Sequence, residues 1–386
     1  MKSIRHFFEN LFNPAPVQPL APGIYTYQAP PEAEFPYRLH LRIEPNTSGL
    51  LIVNASTVLH LNQTAAEYAY HLVQQTPKAE VGGIIARRYQ VPEDQAVRDF
   101  DDFMEKLNAL IQTPDLDPVT FLGFDRQEPY SDVISAPYRL DCALTYRTSD
   151  EGFQDAAPQE RVARELLCEE WKTILDKAWQ AGIPHIIFTG GEPTLRPDLK
   201  DLVRHAEDLG QVTGLLTDGL RLTTLDYFEE LLKCGLDHLM ITLDESDEHS
   251  WEAVRDAMSQ DIYVTVHITI TPEITDEIDD LLDHLNRLGV PSVSLSVSDF
   301  ALRDKLESAR QAVMDRDMRL VWDLPVPYSQ FNPVSLELAE AEEALPENHR
   351  AWLYVEPDGD VLEQQGKSDV LGNLLRDPWE AIWKRD

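Results

Sequence analysis

From Tyr37 onward, Leu39, Leu41 and Ile43 alternate with Arg38, His40 and Arg42, the period of a half-buried β-strand. Two further short strands follow at 50–54 (LLIVN) and 57–61 (TVLHL). Thr64-Ala-Ala-Glu67 has the spacing of a capping box, in which hydroxyl and carboxylate each satisfy a free amide at a helix start. Helical patterns then cover 65–75, 77–88 and 93–112, so residues 37–113 read as a small α+β unit. The proline-rich segment 14–23 (PAPVQPLAPG) carries no apolar period and reads as an extended linker. Residues 1–36 are therefore assigned to a short amphipathic helix and that linker.

Past a second linker, 114–136, strands alternate with helices. Candidate strands are 139–146, 184–189, 212–217, 237–243, 262–270 and 292–297, with helices at 159–181, 198–209, 224–234 and 275–288. Six strand–helix units in series demand a parallel sheet, either doubly wound or a barrel. The even spacing, without a composition break at mid-sheet, favours a partial (β/α)6 barrel of the TIM type over 137–325. Ligands in such a fold sit at the C-terminal ends of the strands. Residues 326–386 read as a small separate extension, with strands around the turn Pro357-Asp358-Gly359 and a closing helix that carries Trp379, Ile382 and Trp383.

Charge narrows the function. Of 386 residues, 33 are Lys or Arg and 68 are Asp or Glu, a formal charge of −35 that repels phosphate backbones and anionic lipid. Nucleic acid and membrane partners are thereby disfavoured, and no apolar run reaches the roughly 18 residues that span a bilayer. The three cysteines, Cys142, Cys168 and Cys234, are too scattered for a disulfide framework and suit a reducing cytoplasm.

The sharpest chemical signal is Phe188-Thr189-Gly190-Gly191-Glu192-Pro193-Thr194-Leu195-Arg196-Pro197, at a strand end and before a helix. This string resembles the GGEP motif of the radical S-adenosylmethionine (SAM) superfamily. The resemblance implies that backbone carbonyls and Glu192 hold the methionine ammonium of SAM. Ala143 to Arg147 look like the family's first strand, Thr217-Asp218-Gly219 stands where it usually has Asn-Gly, Leu243-Asp244 looks like its Ser-Leu-Asp, and Ser296 ends strand six. The cofactor-binding candidates are thus Gly190, Gly191, Glu192, Pro193, Thr217, Asp218, Asp244 and Ser296.

Two flanking resemblances occur in the family's usual order. Residues 50–74 are similar to PqqD-type peptide chaperones, implying a winged-helix-like unit that accepts a peptide as an added strand. On this reading Arg38, His40 and Arg42 lie on the outward face of an edge strand and attract an acidic peptide. The segments LYVEPDGDVL and LGNLLRDPWEAIW look like the SPASM or twitch extension of peptide-modifying members.

The departure lies in the loop after the first strand. The family needs CxxxCxxC there, three thiolates for a four-iron cluster. Here Thr148, Gly152 and Asp155 occupy those positions, and none replaces a thiolate. Glu363-Gln364-Gln365-Gly366 likewise carries no cysteine after the Pro-Asp-Gly turn. The three cysteines read as inert packing. His185 and His238 near strand starts, and His267 in mid-strand, read as structural. The acidic runs Asp276-Glu277-Asp279-Asp280 and Glu337-Glu340-Glu342-Glu343 read as solvated helix faces. The resemblance therefore points to a degenerate radical-SAM-like protein without iron–sulfur clusters, a peptide-binding or scaffold component of peptide or protein modification whose pocket is left to hold SAM, at most weakly, or a related nucleoside. The alternatives are an active radical SAM peptide modifier with an atypical cluster site, or a non-radical transferase.

Overall fold

β-branched and leucine-rich runs with glycine or asparagine between them build the first sheet. Its strands β1 (Gly23–Gln28), β2 (Arg38–Ile43), β3 (Gly49–Val53) and β4 (Thr57–Leu61) form an antiparallel meander in sequence order. Helices α1 (Gln63–Val73), α2 (Lys78–Tyr89) and α3 (Glu93–Gln112) complete the unit. Its core joins Leu39, Leu41, Leu51 and Leu59 of the sheet to Ala69, Ile85, Phe100 and Phe103 of the helices. The computed structural model describes residues 20–30, 32–113, 134–149, 155–274, 277–341 and 351–383. The segment 1–19, most of the linker 114–136, Gly152, Asp276, Glu342 and Glu343 lie outside them. The chain divides into two units between Ile134 and Ser135.

Three expectations for the first unit change. The cap of α1 is Asn62, whose side chain accepts the Ala65 amide at 2.9 Å, rather than Thr64. Glu67 instead turns inward, accepting from Tyr89 Oη at 2.8 Å and pairing with Arg88. Residues 23–28, assigned to the linker, pair along all of β2 from Gly23↔Ile43 to Gln28↔Arg38. Arg38, His40 and Arg42 are consequently on an internal strand, and His40 and Arg42 are buried at 4% and 2% exposure. Arg42 Nε donates to Glu44 at 2.9 Å. Simple alternation predicted one wet face, but β2 and β3 are buried on both. These three residues do not form an exposed edge for a peptide.

The second unit holds β5 (Arg139–Thr145), α4 (Cys168–Ala181), β6 (His185–Gly190), α5 (Leu199–Leu209), β7 (Val212–Thr217) and α6 (Tyr227–Lys233). It continues through β8 (His238–Thr242), α7 (Glu248–Met258), β9 (Tyr263–Ile270), α8 (Ile278–Arg287), β10 (Ser292–Val297), α9 (Arg303–Met314) and β11 (Arg319–Val321). The chain then forms α10 (Val334–Ala341), β12 (Trp352–Val355), β13 (Asp360–Leu362), β14 (Gly372–Asn373) and α11 (Trp379–Ile382). The ten strands lie in the order β11-β10-β9-β8-β7-β6-β5-β12-β13-β14. From β5 to β11 the order follows the sequence without the reversal of a doubly wound sheet, which is the winding of a partial barrel. The helices between the parallel strands lay apolar stripes on them; α5, for example, buries Leu199, Leu202, Val203 and Ala206.

The extension is not separate. β12 pairs in parallel with β5, Trp352↔Arg139 through Val355↔Cys142, and β13 and β14 extend the same sheet antiparallel. Leu353 and Tyr354 are fully buried there. The helix expected over 159–181 begins only at Cys168, after a 3-10 turn at Gln159–Arg161. Among the described residues no helix is long and apolar enough to cross a membrane.

If β12 is integral to the sheet, Leu353→Ala should destabilise the whole second unit by about 2–5 kcal/mol. Urea unfolding followed by barrel tryptophan fluorescence should show a single shifted transition; an unshifted barrel transition would mean that the extension unfolds alone.

Candidate functional site at the strand ends

The strand β6 ends on two glycines because the turn lies flat against the exit of β5. Gly191 N donates to Thr145 O at 2.8 Å and Glu192 N to Arg147 O at 2.7 Å. A Cβ on Gly190, whose φ is +132°, would lie 2.1 Å from Thr145 O, and one on Gly191 would lie 2.3 Å from Arg147 O. Only glycine fits either position. Pro193 then opens a 3-10 turn, Pro193–Leu195. Arg196 fixes it from behind, donating to Leu144 O at 3.1 Å and forking onto Asp198 at 2.9 and 2.7 Å.

This turn aims Glu192, 2% exposed, into a cradle of donors. The Thr194 amide donates to Oε1 at 2.8 Å, joined by the Thr194 hydroxyl. Thr217 Oγ1 lies 2.8 and 2.9 Å from the two carboxyl oxygens, and the Asp218 amide donates to Oε2 at 2.8 Å. Burial, followed by the neighbouring Asp218 charge, pushes the Glu192 carboxyl up to about 8, while the hydrogen bonds oppose that rise. Burial thus favours the neutral acid, while the four donors around the carboxyl favour its anion.

Glu192 lines a cavity of about 400 Å³ at the C-terminal ends of the barrel strands. Gly191, Asp218 and Asp244 line it as well, so four of the eight expected binding residues meet there. Thr217 acts one layer back through Glu192. Gly190 turns its carbonyl to the Tyr328 amide at 2.9 Å, and Pro193 shapes the turn. Ser296 also stands behind the wall, 3.0 Å from His267 Nε2.

Residues not anticipated complete the walls. Asp247 and Ser250 come from α7 and its approach, Thr242 and Leu243 from the end of β8, and Val326 to Phe331 from the segment after β11. Asp218, Asp244 and Asp247 each spend Oδ1 on a local turn, accepting from Leu220 N, Ser246 N and His249 N at 3.0 Å each. His267 is a lining residue, not mere packing. Its Nδ1 meets Ser294 Oγ at 3.0 Å and its Nε2 meets Thr269 Oγ1 at 3.2 Å. Burial pushes it down to about 3, so it is a neutral polar group. Among the described residues the lining carries carboxyls, hydroxyls, the Gln330 amide, one imidazole and apolar groups such as Val326 and Phe331, with no Lys or Arg. Carboxyl groups in such a wall attract positive charge and repel phosphate. Period-2 reading could have placed His267 on the inner face with Thr265 and Thr269; only the fold reveals that this face borders a cavity.

The cluster positions behave otherwise. Thr148 lines the cavity beside Ser149, and Asp155 lies at the start of the next described stretch. Cys142 is fully buried in β5, Cys168 opens α4 and Cys234 follows α6, where Sγ accepts from Arg204 at 3.1 Å. Burial pushes the Cys142 thiol well up, against thiolate formation. This donor set does not fit a four-iron cluster at the exit of β5.

Comparison with known proteins agrees with the geometry. A match to the radical SAM superfamily covers residues 142–269. A PqqA peptide cyclase from Streptomyces rochei is 37% identical over 126 residues, 32% of this chain and 34% of that protein. Another from Bradyrhizobium diazoefficiens is 32% identical over 126 residues, 32% and 33% of the two chains. The aligned region spans about a third of the length of these curated relatives. Among solved structures, Streptococcus suis SuiB bound to its precursor peptide SuiA superposes with a TM-score of 0.58 at 14% identity, over 90% of this chain and 87% of that one. SuiB bound to S-adenosylmethionine gives 0.56 at 14% identity, over 92% and 88%. The α/β fold, with its large and mostly parallel sheet, is that of the radical SAM proteins. The sequence matches, to the radical SAM superfamily and to two PqqA peptide cyclases, cover about a third of the chain.

Two substitutions test the site's construction. Gly190→Ala must displace the β5 exit and should cost at least ~1–3 kcal/mol of stability, read by thermal or urea unfolding. Thr217→Val removes a hydroxyl from a buried carboxyl and should cost about 1–3 kcal/mol; a variant as stable as the parent would refute the cradle.

Proposed function

We propose that the chain is a radical-SAM-like protein of peptide or protein modification that binds its partners without generating radicals. The observation that carries this reading is the buried Glu192 carboxyl, held at the edge of an acidic, hydroxyl-rich cavity in the position where the GGEP resemblance implies an ammonium. The residues fit SAM or a related cationic nucleoside: Glu192 faces the ammonium, Asp218 and Asp244 the hydroxyls, and His267 offers an uncharged hydrogen-bonding group. When bound, SAM supplies a sulfonium that activates its methyl and adenosyl carbons for transfer. The chain's own part is to hold and orient that cation and to take up or release a proton at the Glu192 carboxyl.

A peptide partner is supported by the PqqA cyclase relatives and by SuiB with its precursor peptide. In the first unit the sheet edges are β1 and β4, so strand addition belongs there and not on β2.

A second reading, an active peptide-modifying radical SAM enzyme, is favoured by the 37% identity to a PqqA peptide cyclase. Anaerobic reconstitution separates the two. The binding role expects no stoichiometric iron and no 5′-deoxyadenosine from SAM, whereas about four irons per chain with SAM cleavage would establish the enzyme.

The raised Glu192 pKa gives a pH signature. A bound cation favours the carboxylate, so the proton present below about 8 must leave on binding. SAM affinity should therefore rise with pH from the acid side toward about 8 and fall beyond it as the ammonium of SAM loses its own proton, with proton release below that pH seen by calorimetry in buffers of different ionisation enthalpy. Affinity that is flat across this range, or unchanged in Glu192→Ala, would exclude Glu192 as the ammonium's partner.

A further inference from the structure

The cavity at the strand ends gathers carboxyl groups with no cation in its described walls to balance them. Among the described residues Glu192, 2% exposed, enters no ion pair, and its partners are the amides and hydroxyls of Thr194, Thr217 and Asp218. A buried carboxylate is ordinarily paired with a positive charge. Asp218, Asp244 and Asp247 add three more carboxyls to the lining. Each commits only Oδ1 to its own turn or cap, and among the described residues no hydrogen bond reaches Oδ2.

The cationic side chains near the glycine turn are committed elsewhere. Arg147, just before Thr148 and Ser149 of the lining, holds Nε 3.1 Å from Thr145 Oγ1 and 3.6 Å from Glu165. Arg196 forks onto Asp198, and Arg221 bonds Thr194 O with its guanidinium over the Tyr227 ring. None of the three lines the cavity. Between Ser149 and Asp155 the sequence holds no Lys or Arg. The N-terminus of α7 would attract an anion, but Asp247 already caps it, accepting the His249 amide at 3.0 Å.

Near neutral pH, SAM brings a sulfonium, an ammonium and a carboxylate. The cavity matches the first two and sets the third among like charges, in a recess where solvent screens them less than at an open surface. We propose that the cavity selects a sulfonium nucleoside whose side chain ends in an amine rather than an amino acid, a dication without a carboxylate, in preference to SAM itself. This rests on the cation-binding reading above and narrows it to a ligand class. Glu192 meets the terminal ammonium, and the Oδ2 atoms of the aspartates meet the remaining positive charge and the ribose hydroxyls.

The test is calorimetry on the full chain near neutral pH, with SAM and with S-adenosyl-3-methylthiopropylamine, which differs only in lacking the carboxylate. The amine should bind at least ~10-fold more tightly at low salt, and the gap should narrow at high salt. Asp244→Asn, which removes a like charge, and Ser149→Arg, which adds a countercharge at an exposed lining position, should each narrow the gap. SAM bound as tightly as the amine, or more so, overturns the preference and leaves the cation-binding reading standing. A gap undiminished in both variants places its cause outside the carboxyl field and overturns the proposal as well. Failure of both ligands to bind at millimolar concentration overturns the proposal and the reading beneath it.

Discussion

The close approach of the Gly190-Gly191 turn to the exit of β5 is the constraint on which the candidate site depends. Two backbone hydrogen bonds, to Thr145 O and Arg147 O, leave no space for a side chain at either glycine. That contact sets the direction of Glu192. Once so directed, the carboxyl is too buried to remain charged without help, and the Thr194, Thr217 and Asp218 donors supply only part of it. The result is a buried carboxyl whose charge is disfavoured by desolvation and favoured by the donors that hold it.

Around this point the cavity is assembled from distant stretches of chain. Strand ends contribute Asp218, Thr242, Asp244 and Thr269, and the segment from Val326 to Phe331 contributes a wall. That segment is anchored through Tyr328, whose amide meets Gly190 O and whose ring packs edge-on against Tyr146 at 5.5 Å. Tyr146 in turn donates to Glu356 at 3.0 Å, and Arg161 closes the same carboxylate. The C-terminal strands thus support the site, because β12 sits beside β5 and brings Tyr354 and Glu356 under the turn. Binding function and sheet stability share these contacts.

Fold class, strand order and the glycine-rich turn were legible in the chain. Alternating and continuous apolar runs give strand and helix positions to within a few residues, and local chemistry dictates the turn at 190–197. Where structure and local pattern differ, the reason is the same. Thr64 has the spacing of a cap where Asn62 serves, β2 has the alternation of an edge strand but lies between β1 and β3, and the C-terminal hairpin has the turn of a separate module but joins the barrel sheet. In each case local pattern was correct but a neighbour in space decided the outcome. A strand buried on both faces can carry Arg42 if an ion pair goes in with it, and period-2 alternation cannot distinguish that from a wet face.

What the sequence determined by itself was chemical inventory: no cysteine in the loop directly after β5, a GGEP turn able to aim one glutamate, and a strong negative charge. These follow from residue identity and short-range spacing, which tertiary structure does not alter. Only the fold decided which groups share a space. Asp247, His267 and Phe331 are far apart in the chain and meet because parallel strands end at one level. His185 and His238, 53 residues apart, face each other because β7 offers a glycine between them. Proximity across strands depends on register and crossover, and the free energy that fixes both is spread over the whole buried core.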